Sequence, residues 1–395
     1  MIGEGSDGER RDISFPLFFA VCLASIGGPL ALIALYFPTG LDDAASSSGL
    51  VTVIATVLFI VPLAIWYRYS ARIASRGGLY SFVEAAAGRR IALVQAGFWI
   101  VSYFLYLIFT VPYIVYELLP IAFPQVVRYE LLLDGLLAVV IAAIMLAPRI
   151  VALSSLVVIA GIQMLVAINQ VALGFGAFGV PAGSFVGHGN LQPILLASAK
   201  SSLLYVCASL PIFLGGEVRG GGRSVQRGLA WAFGITGLLA VLALFPLAAA
   251  GNKVLGSDIP GLTLVQSRIG QPSAAIVGLA VALSVAGLII AEFLALGRLL
   301  GAIFNRPTRL MVALSCGAFL LGTLISLINP AEAYEFLLKP SLIALWVSQL
   351  IVVAVYPWFV RRYDRPGAVD ISLSVVASLL MLFGLYTAIT SASTT

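Results

Sequence analysis

The sequence predicts an all-α integral membrane protein with about eleven spanning helices, on two observations of composition and one of charge placement. Hydrophobic residues make up 61% of the 395 and charged residues 10%, with a mean hydropathy of +1.08. A soluble domain carries roughly a quarter charged residues. The apolar residues also fall into runs that reach the ~20 residues a bilayer core demands of a helix. Finally, five of the 22 basic residues (Arg128, Lys200, Lys253, Arg268 and Lys339) lie on one set of alternate connections and the other 17 on the opposite set. This is the positive-inside pattern. It places the N-terminus in the cytoplasm and, after eleven spans, the C-terminus outside, in a multi-pass protein of the cell membrane. The placement also accounts for the net charge of +5, so the expected partners are the lipid bilayer and a small molecule rather than nucleic acid. The chain is expected as a monomer or homodimer.

The elements follow in order. Residues 1–12, "MIGEGSDGERRD", form a polar tail. The run 13–37 has no small-residue cleavage site after it, so it reads as the first span and not as a removable signal. The next spans are expected at 49–70, 91–121, 129–148, 149–178, 194–218, 226–251, 273–304, 308–329, 335–360 and 369–391. Only "APRI" at 147–150 separates the fourth from the fifth, but Pro148 and Arg149 make a credible break.

The first span carries "CLASIGGPLA" at its midpoint. A break there frees backbone groups that lipid cannot satisfy, and such groups are tolerated only against protein or a water-filled cavity. A simple packing kink is the alternative. Five spans later, "LLYVCASLPIFLGGE" places Cys207, Ala208 and Ser209 ahead of Pro211 at a matching depth, in a span that starts from the opposite side. Interrupted spans at matching positions of two oppositely oriented halves point to a 5+5 inverted repeat, with its site at the midplane. The halves are then residues 13–178 (spans 1–5) and 194–360 (spans 6–10), with spans 1 and 6 unwound and 369–391 as one additional helix.

Three stretches carry a family resemblance. "RGGLYSFVEAAAG" (76–88) is similar to a Gly-Gly-x-Tyr motif followed by an acidic residue. "EVRGGGRSVQRGL" (217–229) resembles Glu-Val-Lys-Asn-Pro-x-Arg-x-Ile-Pro-Arg-Gly-Ile, with Gly221 and Gln226 where prolines usually stand. "ALGRLLGAIFNR" in the eighth span is similar to Ser-Arg-x-Leu-Tyr-Ala-Met-Ala-Arg. Together they resemble the amino acid–polyamine–organocation (APC) superfamily, whose fold is that of LeuT, although that family often has twelve spans. The resemblance implies a permease or antiporter that moves amino acids or closely related amines by alternating access. Other readings are a polyamine or organic-cation exchanger of the same fold, a channel and a membrane-embedded enzyme. The last two lack support, since the helices show no polar pore stripe and no buried nucleophile with an acid/base partner. No enzyme activity, cofactor or metal is expected: Cys22, Cys207 and Cys316 have no metal-ligand spacing, and His188 is the one histidine.

The site follows from helix ends. The new N-terminus of a half-helix presents unpaired N–H groups and about half a positive charge. A carboxylate suits the donors around Ile26, Gly27 and Gly28, with the Ser25 hydroxyl nearby, and the resemblance implies that the substrate carboxylate docks there. Carbonyls of the sixth span from Tyr205 through Cys207 and Ala208 to Ser209 suit an ammonium. Tyr103, Tyr106 and Tyr205 either line the pocket or pack. For coupling, the resemblance implies a hydroxyl pair in span 8 for sodium, where Ser284 stands alone, or a lysine in span 5, where Gln163 and Asn169 are the polar candidates. Glu217 and Glu84 are expected to face Arg76, Arg89, Arg90, Arg219, Arg223 and Arg227, as a gate or as topology signals. Glu292 is an ionisable residue inside an apolar run and a functional candidate, with an ion pair to an arginine of another helix or partial exposure to water as the alternatives.

Overall fold

The computed structural model describes residues 11–26, 28–186, 191–250 and 252–390. Among them, eleven helices are long and apolar enough to span a bilayer. They are α1 (Phe15–Thr39), α2 (Ala44–Arg72), α3 (Arg89–Ala122), α4 (Pro124–Leu146), α5 (Arg149–Phe178), α6 (Leu191–Leu214), α7 (Gly222–Ala249), α8 (Gln271–Phe304), α9 (Thr308–Ser326), α10 (Glu332–Arg361) and α11 (Ala368–Thr390). The break between α4 and α5 falls where proline chemistry puts it. Ala147 is extended (ψ 169°) because the ring of Pro148 excludes helical geometry from the residue before it, and α5 starts at Arg149.

Burial ranks the helices. The central windows of α1 and α8 are 82% and 78% buried, against 28% for α4 and α11. So α1 and α8 form the axis of the bundle, while α4 and α11 offer most of their surface to lipid. Around that axis α3 packs on α10, α10 on α11, and α2 on α6 and α7.

α1 is two half-helices. The first, Phe15–Ser25, ends at Ile26 (φ −77°, ψ 70°), and the second starts at Pro29 after Gly28 (φ 59°, ψ 105°). Positive φ is glycine's territory, and proline with its fixed φ suits the first position of the new helix. α6 departs from α-helical winding without opening. It is α-helical over Leu191–Leu203 and then tightens to 3-10 winding over Leu204–Leu214. Pro211 has no N–H for the carbonyl four residues back, and i→i+3 bonding takes over. An eleven-residue run of that kind is unusual, since such winding rarely exceeds 3–4 residues.

The start of α1 is tied to the end of α6. The Ile13 amide donates to the Glu217 carbonyl (3.1 Å) and the Arg219 amide donates to the Ile13 carbonyl (2.9 Å), a short parallel bridge between Ile13 and Val218.

Candidate functional site

At the α1 break several expected donors are already engaged. The Ile26 amide donates to the Cys22 carbonyl (3.2 Å), closing the last turn of the first half-helix. The Ser25 hydroxyl turns back on its own helix, to the carbonyls of Val21 (2.8 Å) and Cys22 (3.3 Å). Gly27 lies outside the described residues. On the second half-helix Pro29 has no N–H and the Ala31 amide donates to Ser284 Oγ (3.4 Å).

Gly28 is also where α5 and α8 close on α1. A Cβ there would collide with Ser284 Oγ and lie 3.1 Å from Gln163 Oε1 and 3.3 Å from the Ser284 carbonyl. The structure thus brings together Gly28, Gln163 and Ser284, the last two fully buried. Asn169 does not join them. It is exposed on α5, and its Nδ2 donates to the Leu165 carbonyl of its own helix (2.8 Å).

The candidates on α3 and α6 divide. The Tyr205 hydroxyl shares a hydrogen bond with Thr56 Oγ1 (3.0 Å), and its ring packs on Phe37, Phe59 and Phe233, so it belongs to an aromatic cluster of α1, α2 and α7. Ala208 is fully buried. Tyr103 stacks on Trp99 (4.1 Å between centroids), with its hydroxyl beside Cys207 and Ser209 but outside good hydrogen-bond geometry. Gln349 of α10 reaches Ser209 Oγ through Nε2 (3.5 Å). The carbonyls from Tyr205 to Ser209, expected to open toward a ligand, are instead drawn into the 3-10 winding. Cys207, Tyr36, Tyr106, Tyr113 and Tyr334 are half-buried, and the rings of Tyr113 and Tyr334 stack at 5.5 Å between centroids.

Glu217 is 3% exposed and is the hub of the other end. It accepts two bonds from Arg298, Nε to Oε1 (3.0 Å) and Nη2 to Oε2 (2.8 Å). Arg149 Nη1 donates to Oε2 (2.7 Å), and Arg76 Nε pairs with Oε1 at 3.4 Å. Arg149 also holds Asp12. Four segments thereby meet at one carboxylate: the ends of α6 and α8, the start of α5, and the connection after α2. Burial pushes the Glu217 carboxyl up, yet Arg298, Arg149 and Arg76 outweigh it and hold it below the ordinary carboxylate value. The expected set of rim arginines is corrected accordingly. Of the six named, Arg76 reaches Glu217; Arg149 and Arg298 were missed, and Glu84 accepts instead from the Tyr80 hydroxyl (2.9 Å). The signal for Arg298 was an arginine inside the apolar run of α8.

Glu292 of α8 is fully buried, and among the described residues neither of its oxygens has a hydrogen-bond partner. The expected alternatives of an arginine partner or partial exposure are therefore both corrected: Arg298 turns to Glu217. Asp134 of α4 is likewise buried with both oxygens unpartnered. The sequence reading passed over it, although "LLLDGLL" carried the same signal as the surroundings of Glu292.

No family profile and no curated protein sequence matches the chain. Solved structures do. MhsT in complex with L-phenylalanine has a TM-score of 0.63 at 13% identity, over 94% of this chain and 98% of that one. Mhp1, a nucleobase-cation-symport-1 family transporter in a closed conformation with bromovinylhydantoin bound, has a TM-score of 0.58 at 14% identity, over 96% of this chain and 91% of that one. The fold is that of LeuT. In this LeuT-type bundle, the broken helix and the 3-10 segment of α6 are two places where the backbone leaves α-helical winding near the central axis.

Proposed function

We propose that the protein is a secondary active transporter that carries amino acids or closely related amines across the cell membrane by alternating access. The α1 break carries this reading. A half-helix N-terminus that begins after Gly28, deep in a LeuT-type bundle, is an anion site of the kind a carboxylate fills. Mhp1 is a nucleobase-cation-symport-1 family transporter, and MhsT was solved in complex with L-phenylalanine. Residues 13–178 and 194–360 then act as the two inverted halves, and α11 stands outside them. The arginine-rich end faces the cytoplasm. Glu217, tied to four segments there, is the gate of that end in this reading.

For coupling, Ser284 is the single hydroxyl at the place where the resemblance implies a pair for sodium, and a neutral amide, Gln163, stands beside it. Exchange of one substrate for another fits these residues better than sodium symport. The test is counterflow of labelled amino acids in proteoliposomes, with and without sodium and proton gradients. Saturable counterflow supports the carrier, whereas ion conductance without it would establish a channel. Gly28→Leu places a side chain at positive φ against Ser284 and Gln163 and should abolish transport. Transport at the unmodified rate would remove the carboxylate site from α1.

A further inference from the structure

We propose that the groove between the short helix Leu79–Ala87, the start of α3 and the end of α10 binds one anionic phospholipid, whose phosphate is held by Arg361 and Arg362 while an acyl chain lies along α3. Three observations meet there. The first is a cavity with one sign of charge. It measures about 460 Å³ and is lined by Ala86, Ala87, Ile91, Trp358, Arg361 and Arg362. Two guanidiniums stand in its wall and no carboxylate does. The end of α10 packs on the short helix, and the alanine methyls there leave room that a larger side chain would fill.

The second observation is that the fold leaves these two arginines unused. Elsewhere at this end of the bundle Arg68 pairs with Asp370, Arg72 lies over the Tyr363 ring (5.4 Å), and Arg76, Arg149 and Arg298 meet at Glu217. Arg361 and Arg362 are exposed, and among the described residues neither side chain has a hydrogen bond or ion pair. The carboxylates on the neighbouring segments are engaged. Glu84 accepts from the Tyr80 hydroxyl (2.9 Å), Asp364 from the Arg365 amide (2.8 Å), and Asp370 from Arg68 and the Tyr356 hydroxyl (3.1 Å). A guanidinium is a planar fork of donors that matches a phosphate, and basic pockets between spanning helices suit anionic headgroups.

The third is what continues from the groove. Ile91, Val94, Phe98 and Val101 are all exposed, at a spacing that puts them on one face of α3. Ten residues separate Ile91 from Val101, about 15 Å at 1.5 Å per residue. That is half of a hydrocarbon core of about 30 Å, the depth of one leaflet. Trp358, exposed and three residues before Arg361, is the kind of side chain that settles at the headgroup boundary. Cations, an indole and an apolar stripe thus follow in the order of a phospholipid's own parts. A zwitterionic headgroup would bring its ammonium beside two guanidiniums, so the site favours a headgroup without a cation.

The experiment titrates the purified full-length protein in neutral detergent with dioleoylphosphatidylglycerol or dioleoylphosphatidylcholine, reading the thermal unfolding midpoint and, by native mass spectrometry, the number of lipids retained. We expect one retained phosphatidylglycerol, bound about tenfold or more tightly than phosphatidylcholine. Arg361→Gln with Arg362→Gln should bring the two lipids level, and Ile91→Trp, which fills the groove without touching its charge, should weaken both. Arg306→Gln with Arg309→Gln removes two exposed arginines that do not line the groove, and should leave the preference intact. If that control pair reduces the preference as much as Arg361 and Arg362 do, the attraction belongs to the whole basic surface and the site is refuted. If sn-glycerol 3-phosphate protects as well as the lipid, the groove is a phosphate site and the acyl stripe has no part in it. Equal retention of the two lipids by the unmodified protein would overturn the proposal outright.

Discussion

Glu217, just beyond the end of α6, and Glu292, on the α8 helix that packs against α6, are both withdrawn from solvent, at 3% and 0% exposure. One has Arg298, Arg149 and Arg76 around it; the other has no hydrogen-bonding partner among the described residues. The difference separates two uses of a buried charge. A carboxylate with cations on three sides is a fastening, whose removal strands those cations. A carboxylate left alone has no group among the described residues to offset the cost of burying it.

The sharpest way to break this contrast is to remove the fastening. Glu217→Ala leaves the Arg298 guanidinium, 2% exposed, buried and unpaired, and should destabilise the protein by about 3–5 kcal/mol. The thermal unfolding midpoint in detergent should fall steeply. Glu217→Leu combined with Arg298→Met should restore most of that loss, because it removes both charges together. A Glu217→Ala midpoint equal to that of the unmodified protein would show that the cluster is solvated.

Acid should produce a smaller version of the same loss. The folded Glu217 carboxyl is held below the unfolded value of about 4.3. Its contribution is therefore complete above that value, flat from pH 5 to 8, and lost as pH falls through the lower folded value. Glu217→Gln should remove this acid-dependent part of the stability profile. A variant profile parallel to that of the unmodified protein would assign the acid loss to other groups.

Glu292→Gln is the matching experiment on the lone carboxylate, and its expected effect on stability has the opposite sign. It replaces an unpartnered charge by a neutral isostere and should leave the midpoint unchanged or raise it, by up to about 1–2 kcal/mol. A fall as large as that of Glu217→Ala would reveal a partner for Glu292 and erase the contrast. The smallest effect belongs to Asp12→Asn. The Arg149–Asp12 pair is exposed, at 38% and 45%, and such pairs are worth about 0–1 kcal/mol. A midpoint shift beyond that range would move Asp12 into the fastening.

By itself the sequence determined the spans, their separation at Pro148, the interruption of the first helix at Gly28 and Pro29, and the candidacy of Gln163, Ser284, Glu217 and Glu292. These are local properties: transfer of a side chain into hydrocarbon, a missing N–H, a φ that only glycine tolerates. The tertiary structure decided who pairs with whom. Glu217 meets Arg149 and Arg298 across 68 and 81 residues of chain, Tyr205 finds Thr56 across 149, and α6 tightens where an opening was expected. No window of sequence holds both members of such a pair. An arginine six residues from a glutamate on one helix looks like its partner until helix packing turns the guanidinium toward the end of another helix. The cost of burying a charge is set residue by residue, but the group that offsets it is chosen by the fold.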